Sequence, residues 1–100
     1  MNRLILFLDI DGVLATPDSY KTSLPVPDDA DDCIDKDYNS FSEKAVSNLN
    51  RVMEEFNPDI VISSTWRKLY TLRALKAILR QEGVKGKVID LTPVKRMYNF

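Results

Sequence analysis

Leu4-Ile5-Leu6-Phe7-Leu8 is an unbroken apolar run that ends at Asp9. It lacks the alternation of a half-buried strand, so it predicts a strand buried on both faces, as in a parallel sheet. From Ala15 to Asn39 no period survives. Pro17, Pro25 and Pro27 interrupt it, and six of the ten residues from Asp28 to Asp37 are aspartate. This predicts a long loop, flap or minimal cap over about 15–39, and long loops in small domains often act as lids. A helix begins near Ser40 or Ser42. Ser40 with Glu43 fits a capping box, and Ser42 is a rival cap. Val46, Leu49, Val52, Met53 and Phe56 form its apolar stripe, and Asn57-Pro58-Asp59 ends it. Ile60-Val61-Ile62 is a second short buried strand running into Ser63-Ser64-Thr65-Trp66-Arg67. A second helix continues from there to Glu82, with Leu69, Leu72, Leu75, Ile78 and Leu79 inward and Gly83 as its C-cap. Lys87 to Leu91 is a third strand, closed by Thr92-Pro93.

The order is strand, flap, helix, strand, helix, strand, within a single domain over residues 1–100. Strands alternating with helices predict an α/β fold with a parallel sheet and right-handed crossovers. Ligands of such sheets bind beyond the carboxyl ends of the strands. Asp9, Asp11 and Ser63 to Thr65 fall at those ends, so two strand tips converge on one crevice. Three strands make a thin sheet whose last strand is an exposed edge, which predicts a homo-oligomer or strand exchange.

Composition narrows the chemistry. The chain has 100 residues and a net charge of -1, unlike a basic nucleic-acid module. The charge is uneven: residues 1–50 carry ten acids and four bases, residues 51–100 five acids and ten bases. An acidic front and a basic back suit a metal and an anion, or pair with each other. There is no histidine, which removes the commonest general base and the usual zinc ligand. Cys33 is the sole cysteine, so no disulfide forms within the chain. With no signal peptide and no run long enough to span a membrane, the sequence predicts a reducing, cytoplasmic setting.

Asp9 and Asp11 raise the sharpest question. Paired carboxylates repel unless a cation sits between them. Oxygen ligands without histidine point to Mg²⁺. A calcium loop counted from Asp9 would need glycine at Leu14 and glutamate at Tyr20, so that reading fails. At the second tip, hydroxyls before a helix start read either as plain caps or as a phosphate site. Arg67 is badly placed for the helix dipole, which predicts an anionic partner in a substrate phosphate or a flap acid. Trp66 reads as a core anchor or a wall of the site.

ILFLDIDGVL resembles the first motif of the haloacid dehalogenase (HAD) superfamily, and IVISSTWR resembles its second. The phrasing is similar in particular to the small HAD domains of nucleic-acid-repair phosphatases. The resemblance spans about residues 4–92. It implies a Rossmann-like, three-layer α/β/α fold and an Mg²⁺-dependent phosphatase working through an aspartyl-phosphate. Asp9 would be the nucleophile and Asp11 the general acid and base. The Asp9 carboxylate and the Asp11 carbonyl would hold Mg²⁺, and Ser63 or Ser64 would bind phosphate. Lys95 or Arg96 would be the basic third motif. The substrate would be a phosphomonoester, either a small molecule such as a nucleotide or a nucleic-acid end. The family's acidic fourth motif has no counterpart after Asp90, so the chain reads as C-terminally short. The alternative is thus an inactive, truncated or partner-completed module that binds without turnover.

Overall fold

The computed structural model describes residues 4–17, 19, 23–27 and 37–92. A parallel sheet is built from β1 (Ile5–Leu8), β4 (Asp59–Ile62) and β5 (Lys87–Leu91), in the order β1-β4-β5. Helices α1 (Glu43–Phe56) and α2 (Leu72–Gln81) connect them. The α/β class and parallel sheet read from the sequence are those of the structure, and β5 is an edge strand among the described residues. Both crossovers step the same way across the sheet, so right-handedness puts α1 and α2 on one face. Leu8, Ile60, Ile62 and Val88 point to that face and share one core with Val46, Met53, Leu75, Ile78 and Leu79.

The other face has no helix among the described residues. Ile5 and Phe7 are 45% and 64% exposed there, and Ile89 is exposed as well. The expectation that β1 is buried on both faces is therefore corrected. An unbroken apolar run has the same appearance whether or not a second layer covers it.

Local signals set most boundaries. Ser42 caps α1, its Oγ accepting from the Ala45 N–H at 3.2 Å. Ser40 instead donates to the Ser19 carbonyl at 2.8 Å. Asn57 closes the helix in the left-handed region at φ 47°, and Pro58 forbids a further turn. The buried stripe is narrower than expected: Val46 and Met53 are buried and Leu49 partly so, while Val52 and Phe56 are exposed. The second helix starts later than expected. A 3-10 turn over Thr65–Lys68 comes first, and Thr71 then caps α2. Leu69, read as inward, lies between the two and is exposed. Gly83, at φ 83°, follows α2, with its N–H on Arg80 O and the Val84 N–H on Leu79 O. That pair of bonds closes a Schellman motif, so glycine stops the helix as expected.

The flap contains an antiparallel pair that periodicity did not reveal, β2 (Ser23–Pro25) and β3 (Asp37–Asn39). It is fastened to the end of α2. Glu82 accepts from the Tyr38 hydroxyl at 3.0 Å and from the Phe41 N–H at 2.7 Å. Gln81 Nε2 donates to the Tyr38 hydroxyl at 2.6 Å and to the Pro25 carbonyl at 3.2 Å. Burial, with Glu82 adding to it, pushes the Tyr38 hydroxyl from 10.0 up to about 12. The folded state thus favours the neutral phenol. This contribution is complete below pH 10 and is lost as pH rises from about 10 to about 12, where only the unfolded chain ionises readily. We expect Tyr38→Phe to flatten the fall in stability over that window. Denaturant unfolding of both proteins at pH 8, about 10 and about 11 checks this; parallel curves would remove Tyr38 from the account.

Candidate active site

The β1–β4 register aligns Leu8 with Ile62, so the next residues, Asp9 and Ser63, emerge at adjacent strand ends. The Ser63 N–H donates to Leu8 O and the Thr92 N–H to Ile62 O, each at 2.8 Å. These bonds carry the sheet to its rim and hold the two tips side by side. The convergence expected from the sequence is thus the observed arrangement of backbone.

Beyond Leu8 the chain turns at once. The N–H groups of Val13, Leu14 and Ala15 all reach the Ile10 carbonyl, at 3.2, 2.8 and 2.9 Å. Gly12 sits in that turn at φ 79°, which glycine adopts without strain. Ile10, Leu14 and Ala15 anchor the turn in the core. Asp9 and Asp11 therefore stand exposed on a firmly held loop. Asp9 Oδ1 accepts from the Ile10 N–H at 2.8 Å, which engages one carboxylate oxygen of this exposed side chain. Asp11 Oδ1 accepts from the Trp66 indole N–H at 2.9 Å.

The two serines part company. Ser64 is 1% exposed, and its Oγ accepts from the Trp66 backbone N–H at 3.2 Å. It is the cap of the 3-10 turn. Ser63 is exposed at the rim beside Asp9. Arg67 lies in the short turn and not in the first turn of α2, so the helix-dipole argument for it falls away. Its Nη1 donates to the Ser64 carbonyl at the tip itself. Lys95 and Arg96 lie outside the described residues.

Trp66 is both of the things the sequence left open. It is buried among Tyr38, Phe41 and Tyr70, with ring centroids 6.1, 5.9 and 5.3 Å away. It also borders a cleft of about 280 Å³ between the flap and the 3-10 turn, lined with Asp11, Ser23, Asp37, Asn39 and Leu69. The Tyr70 hydroxyl donates to the Asp37 carbonyl at 2.7 Å and so holds the flap side of that cleft. The Trp66–Asp11 bond has no local signal along the chain, since 55 residues separate the partners. A wider cleft of about 380 Å³ lies against α1, bordered by Glu43, Asn50, Arg51 and Lys85, away from the strand tips.

Asp9 and Asp11 are hard oxygen donors on one short loop, and no group of three or more His, Cys, Asp or Glu forms among the described residues. The Asp9 carboxylate and the Asp11 backbone carbonyl are the kind of oxygen donor that Mg²⁺ takes, water and phosphate oxygens filling the rest of its shell. No helix among the described residues is long and apolar enough to cross a membrane.

A family model for the HAD domain in Swiss Army Knife RNA repair proteins matches residues 5–99. No curated protein and no solved structure gives a match.

Proposed function

Because the chain belongs to the family of HAD domains in Swiss Army Knife RNA repair proteins, we propose that it is a phosphohydrolase that removes phosphate from a nucleotide or an RNA end. The observation that carries this reading is the placement of Asp9 and Ser63 at adjacent strand ends, with Asp11 two residues further along the loop and bordering the cleft beneath the flap.

Asp9 Oδ2 attacks phosphorus, and the bond from phosphorus to the leaving oxygen breaks. Asp11, protonated, gives its proton to that oxygen, so the product leaves as an alcohol. Asp11 is then a carboxylate. It takes a proton from the water that attacks the aspartyl-phosphate, releasing inorganic phosphate and restoring both residues. Ser63 donates to a phosphoryl oxygen, a role that the buried Ser64 leaves to it. Arg67 braces the tip from behind, and Lys95 supplies the basic group. The cleft beside Asp11 takes the leaving group, because the proton donor must face the departing oxygen. Mg²⁺ held by the Asp9 carboxylate and the Asp11 backbone carbonyl would neutralise charge between nucleophile and phosphate.

The test is phosphate release from nucleoside monophosphates, phosphate-ended oligoribonucleotides and simple aryl and alkyl phosphates, with Mg²⁺ and with chelator. We expect release that needs Mg²⁺. No release from any substrate would sink the hydrolase reading and leave a module that binds phosphate or a partner without turnover.

A further inference from the structure

We propose that Trp66 is the positioning residue for Asp11, selecting which carboxyl oxygen carries the catalytic proton. The inference rests on Asp11 as general acid and goes beyond it in naming what aims that acid. The 2.9 Å bond from the indole N–H engages Oδ1, which leaves Oδ2 to hold and deliver the proton. An acid free to rotate would present either oxygen, in several rotamers, to the departing group.

The donor itself is rigid. Trp66 is 6% exposed and packed against three other aromatic rings. Its own backbone N–H is held by Ser64 Oγ. Asp11, by contrast, is exposed on its turn. The fixed partner therefore orders the exposed one. Tyr38 extends this support to the flap: it belongs to β3, lies 6.1 Å from the indole and is fastened to Glu82. Flap, indole and acid form one continuous chain of contacts.

The consequence depends on the leaving group. An alkoxide is a poor leaving group and needs its proton early, whereas a nitrophenolate leaves without one. Trp66→Phe keeps a ring in the core and deletes the donor. We expect the first-turnover rate of leaving-group release from an alkyl phosphate such as a nucleoside monophosphate to fall by about 10- to 100-fold, since misplacing a catalytic group by about 1 Å costs that much. KM should stay near its original value, and the first-turnover release of p-nitrophenol from p-nitrophenyl phosphate should change by less than about threefold. Trp66 is the chain's one tryptophan. Biosynthetic replacement by benzothienylalanine therefore substitutes sulfur for N–H at this position alone and supplies a variant of unchanged shape.

Equal losses in first-turnover leaving-group release on both substrates, or none on either, in the benzothienyl protein would overturn the proposal. Asp11→Asn, measured alongside, separates the two layers of the reading. Its first-turnover release of the leaving group should fall on the alkyl phosphate, and its steady-state turnover should fall on both substrates, because the same carboxylate takes the proton of the attacking water. Unchanged turnover on both substrates would mean that Asp11 is neither acid nor base, and the underlying assignment fails on its own account.

Discussion

Asp9→Asn will abolish phosphate release, by about four orders of magnitude or more, while leaving the fold intact. The carboxamide is neutral and has no nucleophilic oxygen, so no aspartyl-phosphate forms. Its Oδ1 still accepts the Ile10 N–H, which is the contact that fixes Asp9 in the structure. Asp9 is exposed, so no core packing is disturbed. Phosphate release and a thermal melt on the same preparation check both halves. Turnover within about tenfold of the original protein would remove Asp9 from the chemistry. A lost melt would mean that the substitution had tested stability instead.

Ile62→Ala will cost about 2–5 kcal/mol of stability, the usual toll for emptying a filled core position. For a domain of this size that lowers the melting temperature by roughly 8–40 °C. Ile62 is fully buried on the central strand, directly before Ser63, and it faces both helices. Phe7→Ala provides the contrast. Phe7 is the larger side chain and belongs to an equally apolar run, yet it is 64% exposed. We expect its loss to cost less than about 1 kcal/mol. Chemical denaturation of the two variants decides the matter. Equal costs would mean that the face of Phe7 is covered and that the sheet has a layer on both sides.

That pair also marks what was legible in the sequence. The strands were readable because short apolar runs end in polar tips, and the helices because Val46, Leu49 and Met53, or Leu75, Ile78 and Leu79, recur at helical spacing. The convergence of Asp9 and Ser63 followed from strand order alone. Which side of β1 is buried was not readable, because that depends on where two crossovers send their helices. The pairing of Ser23–Pro25 with Asp37–Asn39 was hidden by brevity and by a proline within the strand. One signal was available and missed. Thr71 before Leu72 has the form of an N-cap, and it would have placed the start of α2 after the 3-10 turn. The Trp66–Asp11 bond had no local signal at all; only the tertiary fold brings the indole to the β1 loop.

The uncovered face of the sheet has a thermodynamic consequence. Heat capacity rises on unfolding because apolar surface passes from the interior into water. Ile5, Phe7 and Ile89 are 45%, 64% and 38% exposed in the folded state already. Unfolding therefore transfers less apolar area than a chain this hydrophobic would suggest. The stability curve is correspondingly flatter: the domain gains less on moving from warm to cool, and it loses less to the curvature that drives cold denaturation.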